Sequence, residues 1–160
     1  MQPDAFDTAL SKATTPDDVY AALMALTRGR VPARLFTIMT VDLDAMEARR
    51  AFTSHPEAYP TSGTKPIEMN DWFARVVTDG EVFVAQTLAE IAQVFPDHAL
   101  IGSLGCGAVV NLPVVRGGTV GATVNILDAE GSYSPKVVAE AEALIPFAAR
   151  GLDRIAALQA

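Results

Sequence analysis

The chain has 160 residues, of which 50% are hydrophobic and 19% are charged, and its formal net charge is −7. This composition predicts a folded domain with a substantial core and differs from that of disordered chains. The acidic balance argues against nucleic acid or an anionic membrane surface as the main partner, because both require a basic footprint. No apolar run reaches the length needed to span a bilayer.

Two helices are predicted at the start of the chain. Apolar residues recur at helical spacing over 6–13. A second helix begins after Thr15, a good N-cap, and Asp17 and Asp18 favour the positive end of its dipole. This helix is expected to end near Gly29.

The next segment predicts a hairpin, a loop and a helix. β-branched and apolar residues indicate strands over 34–42 and 46–54, the second with Met46, Ala48, Arg50 and Phe52 on one face. Proline and glycine content predicts a loop over 55–66. Asn70 or Asp71 then caps a helix that carries Trp72 and Phe73.

Short elements are predicted in the middle of the chain. A strand is expected over 82–86, followed by a helix that begins at a capping box formed by Thr87 and Glu90. Asp97 is expected to cap one further short helix.

The clearest strands cover 107–115 and 119–127 and flank a hairpin turn at 116–118. Ser134 caps the last helix, and Pro146 is expected to kink or break it. The apolar positions of this helix step by three and four residues: Val138, Ala141, Ile145, Ala148, Leu152 and Ile155. The order of elements predicts an α+β domain with a largely antiparallel sheet.

This order, and above all the segment 108–127, resembles the GAF family, which is related to PAS domains. Domains of that family typically end their sheet with a proline-bearing strand, a glycine turn and a second strand. The corresponding residues here are Leu112-Pro113-Val114, Gly117-Gly118 and Val120-Gly121 to Ile126-Leu127. The segment 59–66, followed by Trp72, resembles a motif of small stand-alone bacterial GAF proteins.

The resemblance implies a GAF-like (profilin-like) antiparallel sheet of about five or six strands. Terminal helices would pack on one face, and a ligand pocket would lie on the other. We expect one domain over 1–160, with an N-terminal helix in 1–14 and a core over about 17–158.

The expected pocket lies between one sheet face and the segments 55–80 and 96–107. Asn111 and Asn125 lie at matched distances from the glycine turn, so each amide is expected to bond to the other, to loop backbone or to a ligand. Arg50, His55 and Lys65 could supply positive charge for an anionic ligand, but a solvated surface is the simpler explanation of them. The ligand-binding residues we expect are Arg50, Tyr59, Ser62, Lys65, Trp72, Phe73, Leu104, Cys106, Asn111 and Asn125.

Cys106 is the only cysteine, which excludes an internal disulfide and favours a reducing cytoplasm. Free methionine sulfoxide reductases, a GAF subfamily, use a cysteine near this point together with further cysteines that this chain lacks. Bilin attachment, as in phytochromes, normally needs a following histidine that is also absent. We therefore expect a buried thiol that packs as a small hydrophobe. His55 and His98 lie far apart in sequence, and no metal site is expected.

The leading functional hypothesis is a noncatalytic, cytoplasmic sensor domain that binds a small organic molecule, anionic in one version, without a cofactor. A thiol-dependent oxidoreductase that uses Cys106 is the second hypothesis. The third is a dimerisation or adaptor module with a vestigial pocket. A homodimer through the terminal helices is also expected, because one sheet face would not cover the apolar stripes of both termini.

Overall fold

The computed structural model describes residues 1–160. Six strands form one open sheet in the order β3-β2-β1-β6-β5-β4, and every neighbouring pair is antiparallel. The strands are β1 (Leu35–Asp42), β2 (Glu47–Thr53), β3 (Lys65–Pro66), β4 (Phe83–Ala85), β5 (Ala108–Arg116) and β6 (Thr119–Asp128). The predicted α+β class with an antiparallel sheet is confirmed, and the sheet has six strands where five or six were expected.

Four longer helices and three short ones surround the sheet. The longer helices are α1 (Pro3–Lys12), α2 (Pro16–Arg28), α6 (Pro135–Glu142) and α7 (Ile145–Leu158). The short ones are α3 (Asp71–Phe73), α4 (Leu88–Ala92) and α5 (His98–Ser103), and α3 continues into a π-helical turn over Ala74–Thr78. None of these helices is long and apolar enough to cross a membrane.

The main core lies between the longer helices and one face of the sheet, which we call the helix face. Its 24 buried residues form one cluster. The sheet contributes alternate strand residues such as Phe36, Ile38 and Leu112, and the helices contribute Phe6 and Leu26. The opposite face of the sheet, the cavity face, is covered by the short helices and by loops.

The last helix is broken as the sequence predicts. Pro146 lies in the first turn of α7, where the missing backbone N–H of proline costs no hydrogen bond. The apolar stripe continues across the break, and Ala141, Ala148 and Ile155 are buried in the chain's own core. The N-terminal stripe joins the same core through Phe6. The chain therefore covers most of the two stripes that were expected to join two copies.

Local hydrogen bonds explain where several elements begin. Thr15 and Asp18 form a full capping box at the start of α2. The box predicted at Thr87 is only half formed, and this corrects the expectation. The Thr87 hydroxyl accepts from Glu90 N at 3.2 Å, but the Glu90 carboxylate accepts from Gln86 N at 3.0 Å instead of reaching back to Thr87 N.

The hairpin of β5 and β6 closes as predicted from its sequence. Gly117 and Gly118 have φ values of 65° and 86°, the left-handed conformation that a two-residue hairpin turn requires and that glycine adopts without strain. The loop predicted over 55–66 differs at its end, because Lys65 and Pro66 form β3 against Glu47 and Ala48.

A bulge in β2 changes which side chains reach the cavity face. Ile38 pairs with Phe52 and Met39 pairs with Arg50, so Ala51 has no partner across the strands. Phe52 consequently packs on the helix face against Phe36, with ring centroids 6.0 Å apart. The single face predicted for Arg50 and Phe52 is therefore wrong, since the extra residue turns them to opposite sides of the sheet.

Candidate functional site

A cavity of about 450 Å³ lies on the cavity face of the sheet. This volume is in the range of small-molecule binding sites. The sheet supplies its floor, and the segments 59–72 and 94–101 supply its walls. Its apolar lining includes Val94, Phe95, Pro96, Ile101, Val109 and Leu127.

A row of uncharged polar side chains crosses the floor. Asn125 pairs with Asn111 on one side and with Thr37 on the other, so the three residues lie abreast on β5, β6 and β1. Asn111 Nδ2 donates to Asn125 Oδ1 at 2.8 Å, and Asn125 Nδ2 donates to Thr37 Oγ1 at 3.2 Å. We call these three residues the polar floor.

Trp72 sets the direction of this hydrogen-bonded row. Its indole Nε1 donates to Asn111 Oδ1 at 3.0 Å. Since an indole N–H can only donate, the Asn111 carbonyl must face the indole and its amide nitrogen must face Asn125. Asn70 holds Trp72 in place, because its side chain caps α3 by accepting from Phe73 N at 2.8 Å.

An aromatic wall continues from Trp72. The indole meets the Phe95 ring edge to face with centroids 5.8 Å apart, and Phe95 meets Phe83 in the same way at 6.3 Å. Such contacts fix ring orientation as well as burying apolar area. Trp72 thus presents an ordered apolar surface to the cavity while its polar edge contacts the floor.

Tyr59 connects the two covering segments. Its hydroxyl, from the loop after β2, donates to the Asp97 carboxylate at the start of α5. The Arg50 guanidinium carbon lies 3.7 Å from the centroid of the Tyr59 ring, and Arg50 Nη1 donates to Pro60 O at 2.9 Å. We call the Tyr59 contact with Asp97 the strap.

The strap has two consequences. Burial, with the Asp97 hydrogen bond as the second cause, raises the pKa of Tyr59 far above its usual value, so the phenol stays protonated and donating at neutral pH. Asp97 was predicted to cap α5, but it makes no cap hydrogen bond from its side chain. The Asp97 carboxylate accepts the hydrogen bond of the Tyr59 hydroxyl instead, so the predicted cap of α5 does not form.

The cavity is locally cationic although the chain is acidic. Arg50 and Lys65 bring two positive charges to it, against a single carboxylate from Asp97. Arg49 alternates with Arg50 along β2, and its charge acts on Tyr20 on the helix face. Lys65 makes no salt bridge. The structure contains no group of three His, Cys, Asp or Glu side chains that could hold a metal ion.

Seven of the ten residues expected to bind a ligand line this cavity: Arg50, Tyr59, Ser62, Lys65, Trp72, Asn111 and Asn125. Phe73 does not, because on its helix it points about a quarter turn away from Trp72 and packs with Val76 and Val120. Leu104 packs instead against the cluster around Ile91. His55, expected to offer charge, is hydrogen-bonded to Ser54 outside the lining, with 2.7 Å between Nδ1 and Oγ.

Cys106 also lies outside the cavity lining. It is 3% exposed and packs with Leu35, Val109 and Leu127. Burial, and then the nearby Asp128 carboxylate, raises the pKa of the thiol. These surroundings disfavour the thiolate, which is the reactive form of cysteine.

Sequence reasoning missed Thr37 and Asp97 as cavity residues. Thr37 completes the polar floor only through the pairing of β1 with β6. Because Thr37 alternates along β1 with the core residues Phe36 and Ile38, the sequence could have placed it on the opposite face. Nothing nearby in the sequence identified Asn125 as its partner. Val94 and Phe95, which form part of the wall, also lie outside the segments expected to cover the pocket.

The chain superposes on solved GAF structures over most of its length. The GAF domain of a two-component sensor histidine kinase from Bacillus halodurans superposes with a TM-score of 0.74 at 11% identity, covering 92% of this chain and 100% of that one. This chain has the GAF fold. No protein-family model matches the sequence, and no curated protein matches it.

Two further solved structures share this fold, and one of them is an enzyme by its name. A GAF domain/HD domain protein from Geobacter sulfurreducens has a TM-score of 0.69 at 15% identity, covering 94% of this chain and 97% of that one. The free methionine-R-sulfoxide reductase from Neisseria meningitidis, in complex with its substrate, has a TM-score of 0.65 at 13% identity, covering 94% and 85%. The GAF fold thus serves both sensor proteins and an enzyme, so function must be argued from the site.

Proposed function

We propose that this GAF domain is a noncatalytic sensor that binds a small organic anion in the cavity. The observation that carries the proposal is the combination of an ordered polar floor, an aromatic wall and a cationic rim around one 450 Å³ space. Apolar walls with a few convergent polar groups are the usual composition of ligand sites.

The energetics of the fold support this proposal. Unfilled volume costs stability because the lining side chains lose packing partners. The side chains on the helix face pack closely, whereas the cavity face keeps an open space. Larger side chains at Thr37 or Asn125 would fill part of this space, but the chain does not have them. A ligand that fills the cavity would restore the packing contacts that the lining side chains lack, and this would explain why the chain keeps the cavity.

The sensing step would follow from the position of the walls. A ligand on the floor would contact the sheet, the loop after β2 and the segment before α5, so it would bias the equilibrium between closed and open arrangements of these segments. Binding of this kind stabilises the folded chain by about 2.7 kcal/mol at a hundredfold excess over Kd.

Native mass spectrometry and thermal unfolding test the proposal on the full chain. The purified protein should carry a small molecule, or gain roughly 5–10 °C in Tm from a member of a panel of carboxylates and phosphomonoesters. Asn125→Leu should lose this gain, whereas Thr119→Leu, at the exposed end of β6, should keep it. A protein that carries nothing and responds to no panel member would contradict the proposal.

A thiol oxidoreductase is the second candidate, favoured by the likeness to the Neisseria meningitidis enzyme. The buried position of Cys106 outside the cavity and the raised pKa of its thiol argue against it. The two candidates separate in an assay of free methionine sulfoxide reduction. Turnover that disappears in Cys106→Ser would establish the enzyme and displace the sensor.

A homodimer through the terminal helices and a cytoplasmic location stay predictions. The dimer would have to use residues that remain partly exposed, such as Leu152 in the stripe and Leu158 at the end of the same helix. Sedimentation equilibrium on the wild type and on Leu158→Glu measures this. The third functional hypothesis, an adaptor with a vestigial pocket, would instead require that no small molecule occupies the cavity.

A further inference from the structure

We infer that the ligand is two-ended, with an uncharged hydrogen-bonding head on the polar floor and an acid group at the rim beside Lys65. This inference rests on the proposed function, because it assumes that the cavity binds a small molecule. It adds the chemistry of each end of that molecule and its orientation in the site.

The floor selects an uncharged head. Trp72, Asn111, Asn125 and Thr37 carry no ionisable group, and they already bond to one another. A carboxylate at this position would lose its hydration without gaining a cationic partner, which is strongly unfavourable.

The free hydrogen-bonding capacity of the floor defines the head more closely. Asn111 and Thr37 are each only 3% exposed, whereas Asn125 is partly exposed. Asn125 is therefore the residue of the polar floor that a ligand can contact. Its amide uses one N–H toward Thr37 and one carbonyl lone pair toward Asn111. One N–H and one lone pair remain, which match a head that both accepts and donates, such as a carboxamide, a lactam or a urea.

Lys65, the cation without a partner, lies far from this head. Arg50 pairs with Met39, and Lys65 pairs with Ala48 at the outer strand of the sheet. From Asn125, Lys65 is three strands away and about four residues further along, so their Cα atoms are roughly 20 Å apart at standard strand spacings. After the reach of the two side chains is subtracted, a ligand touching both ends spans on the order of 10 Å.

Lys65, rather than Arg50, is assigned to the acid group. Arg50 is stacked on the Tyr59 ring and donates to Pro60 O, so part of its capacity is used. The strap also brings the Asp97 carboxylate to that side, where it repels a second acid. Lys65 is exposed and has no salt-bridge partner.

A matched probe series tests both ends at once. The probes are the monoamide of octanedioic acid, octanedioate and octanediamide, which share one eight-carbon chain and differ only in their termini. Trp72 is the only tryptophan and lines the cavity, so its fluorescence reports binding of each probe to the full chain without a label. We expect the monoamide to bind at least tenfold more tightly than octanedioate and octanediamide.

Two variants assign the ends. Lys65→Met should weaken the monoamide about tenfold, to the level of the diamide, and leave the diamide unchanged. Asn125→Leu should weaken the monoamide and the diamide by the same factor. Glu68→Gln, an exposed change near the same loop, serves as the control and should alter neither.

The outcomes separate this inference from the proposed function. The two-ended ligand would be overturned if octanedioate and the monoamide bound with equal affinity, or if Lys65→Met left the affinity for the monoamide unchanged. A purified chain that carries a small molecule but binds none of the three probes would also overturn it, and the proposed function would then stand. A chain that carries nothing and binds neither these probes nor the anion panel would overturn both.

Discussion

The two faces of the sheet are covered by different kinds of element, and this difference separates stability from binding. On the helix face, long helices bring continuous apolar stripes, and the void between α2, α7 and the sheet measures only about 10 Å³. On the cavity face, helices of three to six residues and loops leave about 450 Å³. Short elements cannot supply a continuous apolar face, so the space beneath them stays open and polar groups can line it.

The sharpest test of this comparison uses two adjacent residues of β1. Ile38 points to the helix face and is 1% exposed, whereas Met39 lines the cavity. Ile38→Ala should lower the free energy of unfolding by about 2–5 kcal/mol, since it leaves a void in a packed core. Met39→Ala should cost less than half as much, because it only enlarges an existing space.

Urea denaturation of both variants gives these values, and the m-value checks that the folded state is unchanged. Equal costs for the two substitutions would mean that the cavity face is packed as tightly as the helix face.

The polar floor should account for the next largest effect. Asn111→Leu removes the acceptor of Trp72 Nε1 and the donor to Asn125 Oδ1, so both are left without a partner. We expect a loss of about 1–3 kcal/mol in the free energy of unfolding.

A double-mutant cycle with Asn125→Leu provides the control. Because the two amides bond to each other, the double variant should lose less than the sum of the single variants. Strict additivity would show that the row does not act as one unit.

Removal of the strap should have a smaller and local effect. Tyr59→Phe keeps the ring under Arg50 but deletes the hydrogen bond to Asp97, at a cost of about 1 kcal/mol. Amide hydrogen exchange should accelerate in the segments 55–62 and 94–98, which the strap joins.

Tyr20→Phe is the matched control on the helix face, because Tyr20 makes no hydrogen bond through its hydroxyl and packs against Phe52. Its exchange pattern should stay that of the wild type. Acceleration spread over the whole sheet in Tyr59→Phe would contradict a local role for the strap.

The smallest effect should come from acid and should begin on the helix face. Backbone hydrogen bonds from Thr14 and Thr15 lower the pKa of Asp18 below its usual 3.8. A carboxyl whose pKa is lower in the folded state stabilises the fold above its unfolded pKa, and this stabilisation is lost as the pH falls through the folded value.

The start of α2 should therefore weaken only below about pH 4, and Asp18→Asn should remove this part of the pH dependence. Circular dichroism at pH values from 6 to about 2 measures it. A wild type and an Asp18→Asn variant with identical acid profiles would exclude a role for this carboxylate.

Local chemistry made much of the fold predictable. The hairpin at Gly117-Gly118 and the cap at Thr15 depend on residues within a few positions of each other, and both appear as expected. The pairing of Asn111 with Asn125 followed from their matched distances to the same turn.

The parts of the site that were not predicted depend on distant contacts or on helix rotation. Thr37 joins the floor by its hydrogen bond with Asn125, 88 residues away. Asp97 accepts from the Tyr59 hydroxyl, 38 residues away, instead of capping α5. Trp72 and Phe73 are equally aromatic, and only the orientation of α3 decides which one faces the cavity. The bulge at Ala51 has no glycine or proline signal in the sequence.

The polar floor also has a consequence for the order of folding. Asn111 and Asn125 are 14 residues apart in a hairpin, a structure that forms in roughly 1–10 μs once nucleated. Asn125 and Thr37 are 88 residues apart, and closing that long loop is entropically costly and slow. During synthesis β1 emerges early and must wait for β6, so we expect the floor to be half assembled in the hairpin and completed only when β1 docks. The binding site would then be among the last features of the molecule to form.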